Sequence, residues 1–283
     1  MFVLMQYLLP QHGLSRLTGW ATRVQVAWFK DFLIRHFVRG FRPDMGDALE
    51  RDPHRYGSFN EFFTRALRPE ARPLGDAHSQ ILSPVDGTVS ELGRIEHGRL
   101  LQAKGYNYGL ADLLAHNKPW AARFQGGEFA TIYLAPYNYH RIHMPADGNL
   151  LECWYVPGRL FSVNRLTANR VPRLFARNER VVCLFEDAGE PFAVILVGAL
   201  NVGSMDTVWH GNIAPRRPRR ALRLPSAGLL APAQLRAGAE LGRFNMGSTV
   251  ILLFAPGACR WRPDLAAGSS VRMGEALANR LTR

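Results

Sequence analysis

Ser248 lies where its hydroxyl could act as a nucleophile. It is the middle residue of Gly247-Ser248-Thr249, and the apolar run 250–254 that follows is typical of a buried strand. Glycine permits backbone conformations that other residues avoid, and a serine hydroxyl attacks a carbonyl once a base removes its proton. The same triplet also occurs in ordinary turns before strands, so other residues have to supply the base.

A histidine and an aspartate elsewhere in the chain would complete such a site. His140 and His143 lie three residues apart after an apolar segment, and Asp86 precedes Gly87 in a short turn between apolar segments. In the chain order Asp86, His143 and Ser248, the carboxylate would orient the imidazole and the imidazole would accept the serine proton. Asp-Gly is also a favoured hairpin pair, and the histidines could be plain loop residues. The GxSxG signature is absent around Ser248, which disfavours an α/β-hydrolase.

The remaining candidate groups point to substrate binding rather than to a metal. The two histidines lack an acidic or cysteine partner at a metal-ligand spacing, and Cys153, Cys183 and Cys259 show no CxxC pattern. Ser162 and Asn164 place polar side chains in an apolar segment. They are candidates for substrate binding, and a helix cap would explain them as well.

The first 75 residues are predicted to form a helical membrane-association region. Apolar residues at three- and four-residue steps predict a helix from Leu14 to about Phe37, with Arg16, Arg23 and Lys30 on one face. An apolar face beside a basic stripe is typical of a helix at a membrane interface. A surface helix packed on the domain is an equally good interpretation.

A mainly β catalytic domain is predicted for residues 76–283. Short apolar segments separated by turn residues predict strands at 129–134, 150–156, 180–185 and 192–202. Just before this domain, Ser58 and Glu61 have the spacing of a capping box for a short helix. The predicted fold class is therefore α+β, with amphipathic helices followed by a mainly β domain that contains a barrel-like element similar to carrier domains.

Composition indicates an ordered protein with an anionic partner. The 283 residues carry a formal charge of +12, and only three of the 35 basic residues are lysine. Such a surplus favours nucleic acid or an acidic membrane as the partner. The apolar residues 1–9 lack a basic region and a cleavage site, so no signal peptide is expected. No apolar run reaches the roughly 18 residues of a membrane span.

Several sequence blocks, in one order, resemble the pyruvoyl-dependent phosphatidylserine decarboxylase proenzymes of prokaryotic type. A set of matching blocks is far more specific than any single triplet, and this set extends over most of the chain. The blocks are Ser-Phe-Asn-Glu-Phe-Phe-Thr-Arg at 58–65, Ser-Pro-Val-Asp-Gly at 83–87, Gln-Ala-Lys-Gly at 102–105, Tyr-His-Arg-Ile-His-Met-Pro at 139–145, Leu-Phe-Ser-Val-Asn at 160–164, Val-Gly-Ala-Leu-Asn-Val-Gly at 197–203 and Gly-Ser-Thr at 247–249.

The resemblance implies one self-cleavage followed by decarboxylation without an external cofactor. Asp86, His143 and Ser248 would form the cleavage triad, and the bond between Gly247 and Ser248 would break. Ser248 would become a pyruvoyl group that forms a Schiff base with the amine of phosphatidylserine and accepts electrons as carbon dioxide leaves. His140 is the candidate proton donor, and phosphatidylethanolamine is the product, which places the reaction in phospholipid biosynthesis.

The same resemblance implies partners and a location. A β chain of residues 1–247 and an α chain of residues 248–283 would remain associated without a covalent bond, and a homodimer is expected. The enzyme would bind the cytoplasmic face of the cell membrane as a peripheral protein, with about 1 kcal/mol from each basic residue near the anionic surface. Asn138 departs from the family, in which an acidic residue is common at that position, so any charge tuning of the neighbouring histidines is in question.

Three other functions compete with this interpretation. A pyruvoyl enzyme could decarboxylate a soluble amino acid or a nucleoside derivative. Alternatively, Pro84–Gly87 resembles the barrel-like element of biotinyl and lipoyl carrier domains, in which Lys104 would be the modified lysine. A nucleic-acid binder would use the arginine cluster at 216–223, but no reader motif accompanies that cluster, and nucleic acid is not the expected partner.

Overall fold

A computed structural model of the chain describes residues 2–103, 105–200, 204–213, 220–225 and 234–281. Lys104, the end of the block at 197–203, and Arg216, Arg217 and Arg219 therefore lie outside the described residues. The helices are α1 (Phe2–Leu8), α2 (Gln11–Ala21), α3 (Ala27–Phe41), α4 (Phe59–Phe63), α5 (Leu110–Leu113), α6 (Lys118–Phe124), α7 (Arg165–Ala168) and α8 (Leu174–Arg177), with 3-10 turns at Pro53–Arg55 and Pro69–Ala71.

Strands dominate the chain after residue 79, and the predicted α+β class is confirmed. The strands are β1 (Gln80–Leu82), β2 (Gly87–Arg94), β3 (Arg99–Ala103), β4 (Tyr106–Gly109), β5 (Glu128–Tyr133), β6 (Arg141–His143), β7 (Gly148–Val156), β8 (Arg180–Asp187), β9 (Glu190–Val197), β10 (Met205–Thr207), β11 (Gly211–Ile213), β12 (Leu222–Leu224), β13 (Gln234–Leu235), β14 (Glu240–Phe244), β15 (Thr249–Phe254), β16 (Cys259–Trp261), β17 (Ser270–Val271) and β18 (Ala276–Arg280).

The described strands pair into four antiparallel sheets. The largest has the order β12-β7-β8-β9-β15-β5-β2-β17, and β13 also pairs with β7. A second sheet has the order β11-β10-β14-β6, a third the order β1-β18-β16, and β3 pairs with β4. Within the described ranges, the two edges of the large sheet do not pair with each other. The expected barrel-like element is therefore an open sheet rather than a closed barrel.

β15 lies in the middle of the large sheet and is buried along its whole length. Because side chains alternate between the faces of a strand, Val250 and Leu252 pack in one apolar cluster while Ile251 and Leu253 pack in another on the opposite side. A sheet covered on both faces requires a strand without polar alternation. The sequence prediction of a buried strand after Ser248 is confirmed.

The turn that carries Asp86 is not a hairpin. The strand before it, β1, pairs with β18, whereas the strand after it, β2, pairs with β5 and β17 of the large sheet. Asp86 thus marks the point where the chain passes from one sheet to another. The hairpin explanation for the Asp-Gly pair is wrong, because the two flanking strands never meet.

The predicted helix from Leu14 to Phe37 is in fact two helices, α2 and α3, separated by residues 22–26. The backbone N–H of Asn60 donates to the Thr22 carbonyl at 2.8 Å, so that carbonyl is engaged by a residue outside the helix. Lys30 is buried and bonds to Asp31 and to the His54 carbonyl. The predicted basic stripe is therefore wrong, because its members do not share one helix or one environment.

The N-terminal helices present their apolar side chains outward. α2 turns Gln11, Ser15 and Gly19 toward the rest of the protein. Leu8 is 88% exposed and Trp28 is 73% exposed. The other large apolar side chains exposed on this region are Met5, Tyr7, Leu17, Trp20, Val26, Phe32 and Phe41. No described helix is long and apolar enough to cross a membrane.

An aromatic cluster joins α3 to α4. Ser58 is the N-cap of α4, since its hydroxyl accepts the backbone N–H of Glu61 at 3.2 Å, as the capping box predicts. Phe59, Phe62 and Phe63 of α4 are buried against α3. Met246 packs against this cluster from the β region, so contacts cross the predicted boundary near residue 75, which stays a prediction.

Candidate active site

The Gly247–Ser248 peptide lies in the short link 245–248 between β14 and β15. Since these strands belong to different sheets, the link connects two sheets and has little freedom to move. The Leu134 N–H donates to the Ser248 carbonyl at 2.9 Å. Ser248 is 0% exposed, and its hydroxyl oxygen has no hydrogen-bond partner among the described residues. A buried hydroxyl without a partner is costly, so this one is a candidate for chemistry.

Asn245 anchors the start of the link. Its side-chain amide donates to the Ser204 hydroxyl at 2.7 Å and to the Asp206 carboxylate at 2.9 Å. Asn60 of α4 donates to the Asn245 side-chain oxygen at 3.1 Å, and Arg23 donates to the Ser204 hydroxyl at 2.9 Å. This polar network ties the link to the N-terminal region.

His140 borders the Gly247–Ser248 peptide. Its Nδ1 bonds to the Asn138 carbonyl at 2.8 Å; because a carbonyl only accepts, Nδ1 carries the proton and Nε2 has a free lone pair. A Cβ placed on Gly247 would lie 3.4 Å from Nε2, which has no described hydrogen-bond partner. The ring packs on Phe63 with centroids 4.0 Å apart. Burial lowers the pKa of His140 to about 3, so the imidazole is neutral.

His143 has both ring nitrogens engaged. Nδ1 donates to the Gly238 carbonyl at 2.7 Å, and Nε2 accepts the Tyr139 hydroxyl at 2.9 Å. Burial lowers the pKa of His143, and the negative charges of Glu240 and Asp86 oppose this effect only in part. The lone pair of His143 is thus directed at Tyr139 in the uncleaved chain.

Asp86 is held by an arginine that sequence analysis did not single out. Arg72 donates to the two carboxylate oxygens at 2.9 and 2.5 Å, and the Met273 N–H donates to one of them at 2.9 Å. Neither a hydrogen bond nor an ion pair joins Asp86 to His143 in the described part of the chain. Asp86 acts on His143 through its electric field rather than by contact.

Asp86 and Ser248 precede strands of the large sheet, whereas His143 lies in β6 of the second sheet, and in the described residues the three do not form a continuous hydrogen-bonded chain. Thr88 and Thr249 both pair with Tyr133, so the strands that follow Asp86 and Ser248 lie two strand spacings apart, roughly 10 Å. The catalytic roles of Asp86, His143 and Ser248 stay predictions. Residue spacing did not reveal Arg72 as the partner of Asp86, because that contact requires the folded chain, whereas Tyr139 lies only four residues before His143.

Ser162 and Asn164 lie in a loop that the N-terminal helices hold. The Ser162 N–H donates to the Gln6 side chain at 2.8 Å, and the Leu160 N–H donates to the Gln11 side chain at 2.9 Å. Asn164 is the N-cap of α7, so the cap explanation accounts for its position, and it also donates to the Ser162 hydroxyl at 3.2 Å. Substrate binding by this pair stays a prediction.

The donor groups of the described residues do not form a metal site. No group of three or more His, Cys, Asp or Glu side chains is arranged to hold an ion in the ranges that the structure covers. His140 and His143 bond to carbonyl and hydroxyl groups instead.

The low pKa of His140 predicts a pH-dependent stability. The unfolded chain binds this proton below about pH 6.5 whereas the folded chain does not, so the free energy of unfolding falls as the pH drops from 6.5 toward 3. In a Ser248→Ala background, the substitution His140→Asn should make the free energy of unfolding fall less steeply with decreasing pH, by up to about 1.4 kcal/mol per pH unit. Urea unfolding at pH 7 and pH 5 measures the effect. The exposed His78→Asn is the control, and equal pH slopes for all three chains would contradict the buried neutral imidazole.

Comparisons with known proteins place the chain in a family. A family model described as phosphatidylserine decarboxylase matches residues 59–279, and one described as PSD matches residues 1–42. The phosphatidylserine decarboxylase proenzyme of Pseudomonas entomophila (strain L48) is 53% identical over 279 residues, covering 98% of this chain and 97% of the relative. The proenzyme of the same name from Ectopseudomonas mendocina (strain ymp) is 52% identical over 281 residues, covering 99% and 98%. Because the match extends over nearly the whole chain at this identity, the chain belongs to the phosphatidylserine decarboxylase proenzyme family.

Proposed function

We propose that this chain cleaves itself between Gly247 and Ser248 and then decarboxylates phosphatidylserine to phosphatidylethanolamine. The observation that carries the proposal is a buried serine hydroxyl without a described partner, preceded by a glycine that borders an unpartnered nitrogen of the buried His140, at a junction of two sheets. Membership in the proenzyme family supports the same conclusion.

Self-cleavage uses only groups of the chain. His143 takes the proton of Ser248, and the hydroxyl oxygen attacks the Gly247 carbonyl carbon, which moves the acyl group from nitrogen to oxygen. For this step His143 has to exchange its hydrogen bond with Tyr139 for one with Ser248. Elimination then breaks the ester, leaving a carboxylate on Gly247 and a dehydroalanine at position 248. Hydrolysis of the dehydroalanine releases ammonia and leaves the pyruvoyl group.

The residues around position 248 fit a pyruvoyl group. The site is buried, and Nε2 of His140 lies beside it without a described hydrogen-bond partner. Its ketone supplies an electron sink for the pair left behind when carbon dioxide departs. His140 is the residue that returns a proton to the substrate carbon. In the uncleaved chain burial holds its pKa near 3, so the donor role requires a more polar environment, which opening of the adjacent link would provide.

A lipid substrate accounts for the N-terminal surface. An apolar groove of about 440 Å³ lies between α2, α3 and α4 and reaches Met246, next to the cleavage link. The exposed Trp20, Trp28 and Leu8 lie on the same region, where residues 1–42 carry six basic residues and one acidic residue. Apolar anchors with basic neighbours favour peripheral binding to an anionic membrane. A soluble amino acid would need neither the groove nor the exposed aromatic residues.

Loss of the Ser248 hydroxyl should abolish both stages. Ser248→Ala is expected to remain one chain of 283 residues and to release no carbon dioxide from phosphatidylserine vesicles, because no nucleophile is left to attack Gly247. The exposed Ser270→Ala, in the same C-terminal piece, should cleave and turn over like the wild type. Mass spectrometry and carbon dioxide release measure the two stages separately. Cleavage at the same bond in Ser248→Ala would refute the role of this residue.

The two histidines should affect different stages. We expect His143→Asn to slow cleavage at least tenfold, and His140→Asn to permit cleavage but to lower turnover by roughly 100-fold, as removal of a general acid does. A cleavage time course on denaturing gels and kcat on phosphatidylserine measure the two effects. His78→Asn is the matched control. If His140→Asn blocks cleavage while His143→Asn does not, the assigned roles are wrong. The base for cleavage is then His140, which borders Gly247.

A further inference from the structure

Arg65 is a buried cation that forms no ion pair with any carboxylate of the described residues. It follows α4, is 3% exposed, and has no described hydrogen-bond partner for Nε or Nη1. Its one polar side-chain contact is a long hydrogen bond from Nη2 to the Tyr137 carbonyl at 3.4 Å. The guanidinium also lies 5.8 Å from the centre of the Phe62 ring. An arginine keeps its charge in proteins, so this site holds a positive charge with donors to spare.

The same guanidinium belongs to the surroundings of the candidate active site. Its positive charge is one of the influences that lower the pKa of His140, after burial. The neighbouring residue Phe63 packs on the His140 ring, and Tyr137 lies three residues before it. Among the described residues no carboxylate forms an ion pair with Arg65. Asp86 and Asp44 are within electrostatic reach, but Asp86 is already bound by Arg72 and Asp44 accepts the Gly46 N–H.

A buried charge without a partner costs several kcal/mol, and replacing it by an apolar residue is often stabilising. No other contact in the described structure offsets this cost. We propose that Arg65 is the oxyanion-binding group of the site and that it receives the phosphodiester of the lipid headgroup. This inference rests on the proposed function, since it names the group that binds part of the same substrate.

The chemistry favours the phosphodiester over the substrate carboxylate. The carboxylate loses its charge as carbon dioxide forms, so a cation paired with it would stabilise the ground state more than the transition state. The phosphodiester keeps its charge throughout the reaction. An arginine fork matches two phosphate oxygens at once and makes strong charge-assisted bonds. Held in this way, the phosphodiester would fix the position of the amine relative to residue 248.

Access to Arg65 follows from access to Ser248. In the uncleaved chain, Arg65, His140 and Ser248 are all buried. Any opening that admits the substrate amine to position 248 must separate the link 245–248 from its surroundings. The guanidinium is within electrostatic reach of His140, which borders the link, so we expect the same opening to admit the headgroup to Arg65.

The test compares headgroups with and without a phosphodiester. Purified wild type, Arg65→Met, Arg65→Lys and the exposed control Arg55→Met are incubated with glycerophosphoserine or with serine, and cyanoborohydride fixes the amine adducts for mass spectrometry. We expect all four chains to be cleaved at residue 247. Wild type and Arg55→Met should favour glycerophosphoserine over serine by roughly tenfold or more, as expected for a charge-assisted bond. Arg65→Met should lose this preference, and Arg65→Lys should keep part of it.

Thermal unfolding in a Ser248→Ala background gives a readout that does not depend on the pyruvoyl group. There, Arg65→Met should unfold at the same temperature or higher, because it removes an uncompensated charge. An unchanged headgroup preference in Arg65→Met would overturn the proposal. A second result would also overturn the proposal: the α chain separates from the β chain in Arg65→Met while the headgroup preference stays intact. In that case Arg65 would bind the new carboxylate of Gly247 instead of the lipid phosphodiester. The absence of adducts with both amines in cleaved wild type would instead contradict the proposed function.

Discussion

The short link 245–248 is the constraint on which the site depends. It is the point where the chain leaves the small sheet at β14 and enters the large sheet at β15, and hydrogen bonds fix both ends. Strands from both sheets end beside it, so residues distant in sequence meet around one peptide bond. Met246 and Gly247 are half-buried, but Asn245 and Ser248 are fully buried, so the Ser248 hydroxyl lies in a low-dielectric surrounding in which hydrogen bonds and charges act strongly.

Around this link the structure leaves polar atoms unsatisfied that a stable core would pair. The Ser248 hydroxyl, His140 Nε2 and two nitrogens of Arg65 are all buried without described partners. Single unpartnered atoms also occur elsewhere, as at Ser15, Trp209 and Trp261, but around the link a hydroxyl, an imidazole and a guanidinium lie close together. Local departures from good pairing are typical of functional sites. A serine, a neutral imidazole and a cation together offer the proposed nucleophile, the proposed proton donor and a candidate anion site.

Local patterns in the sequence predicted several helices and strands, but they did not predict the hydrogen-bond partners of the site residues. The apolar run after Ser248 and the capping box at Ser58 are encoded within a few residues, and both are confirmed. The break between α2 and α3 was missed because it depends on a contact with Asn60, far along the chain. The hydrogen bond of Asp86 with Arg72 likewise requires the folded chain, whereas Tyr139 lies only four residues before its partner His143. Arg65 was visible only as part of a family block, and its lack of a counter-ion emerges only when burial is known.

We propose that this chain matures by self-cleavage and carries a carbonyl group made from its own Ser248. Intact mass spectrometry of the denatured wild-type protein, before and after treatment with a carbonyl reagent, tests it most directly. We expect two species that replace the 31.8 kDa chain, separated by cleavage between Gly247 and Ser248. Only the C-terminal species should gain the mass of the reagent. A single full-length mass that persists on long incubation and gains no reagent would contradict the account.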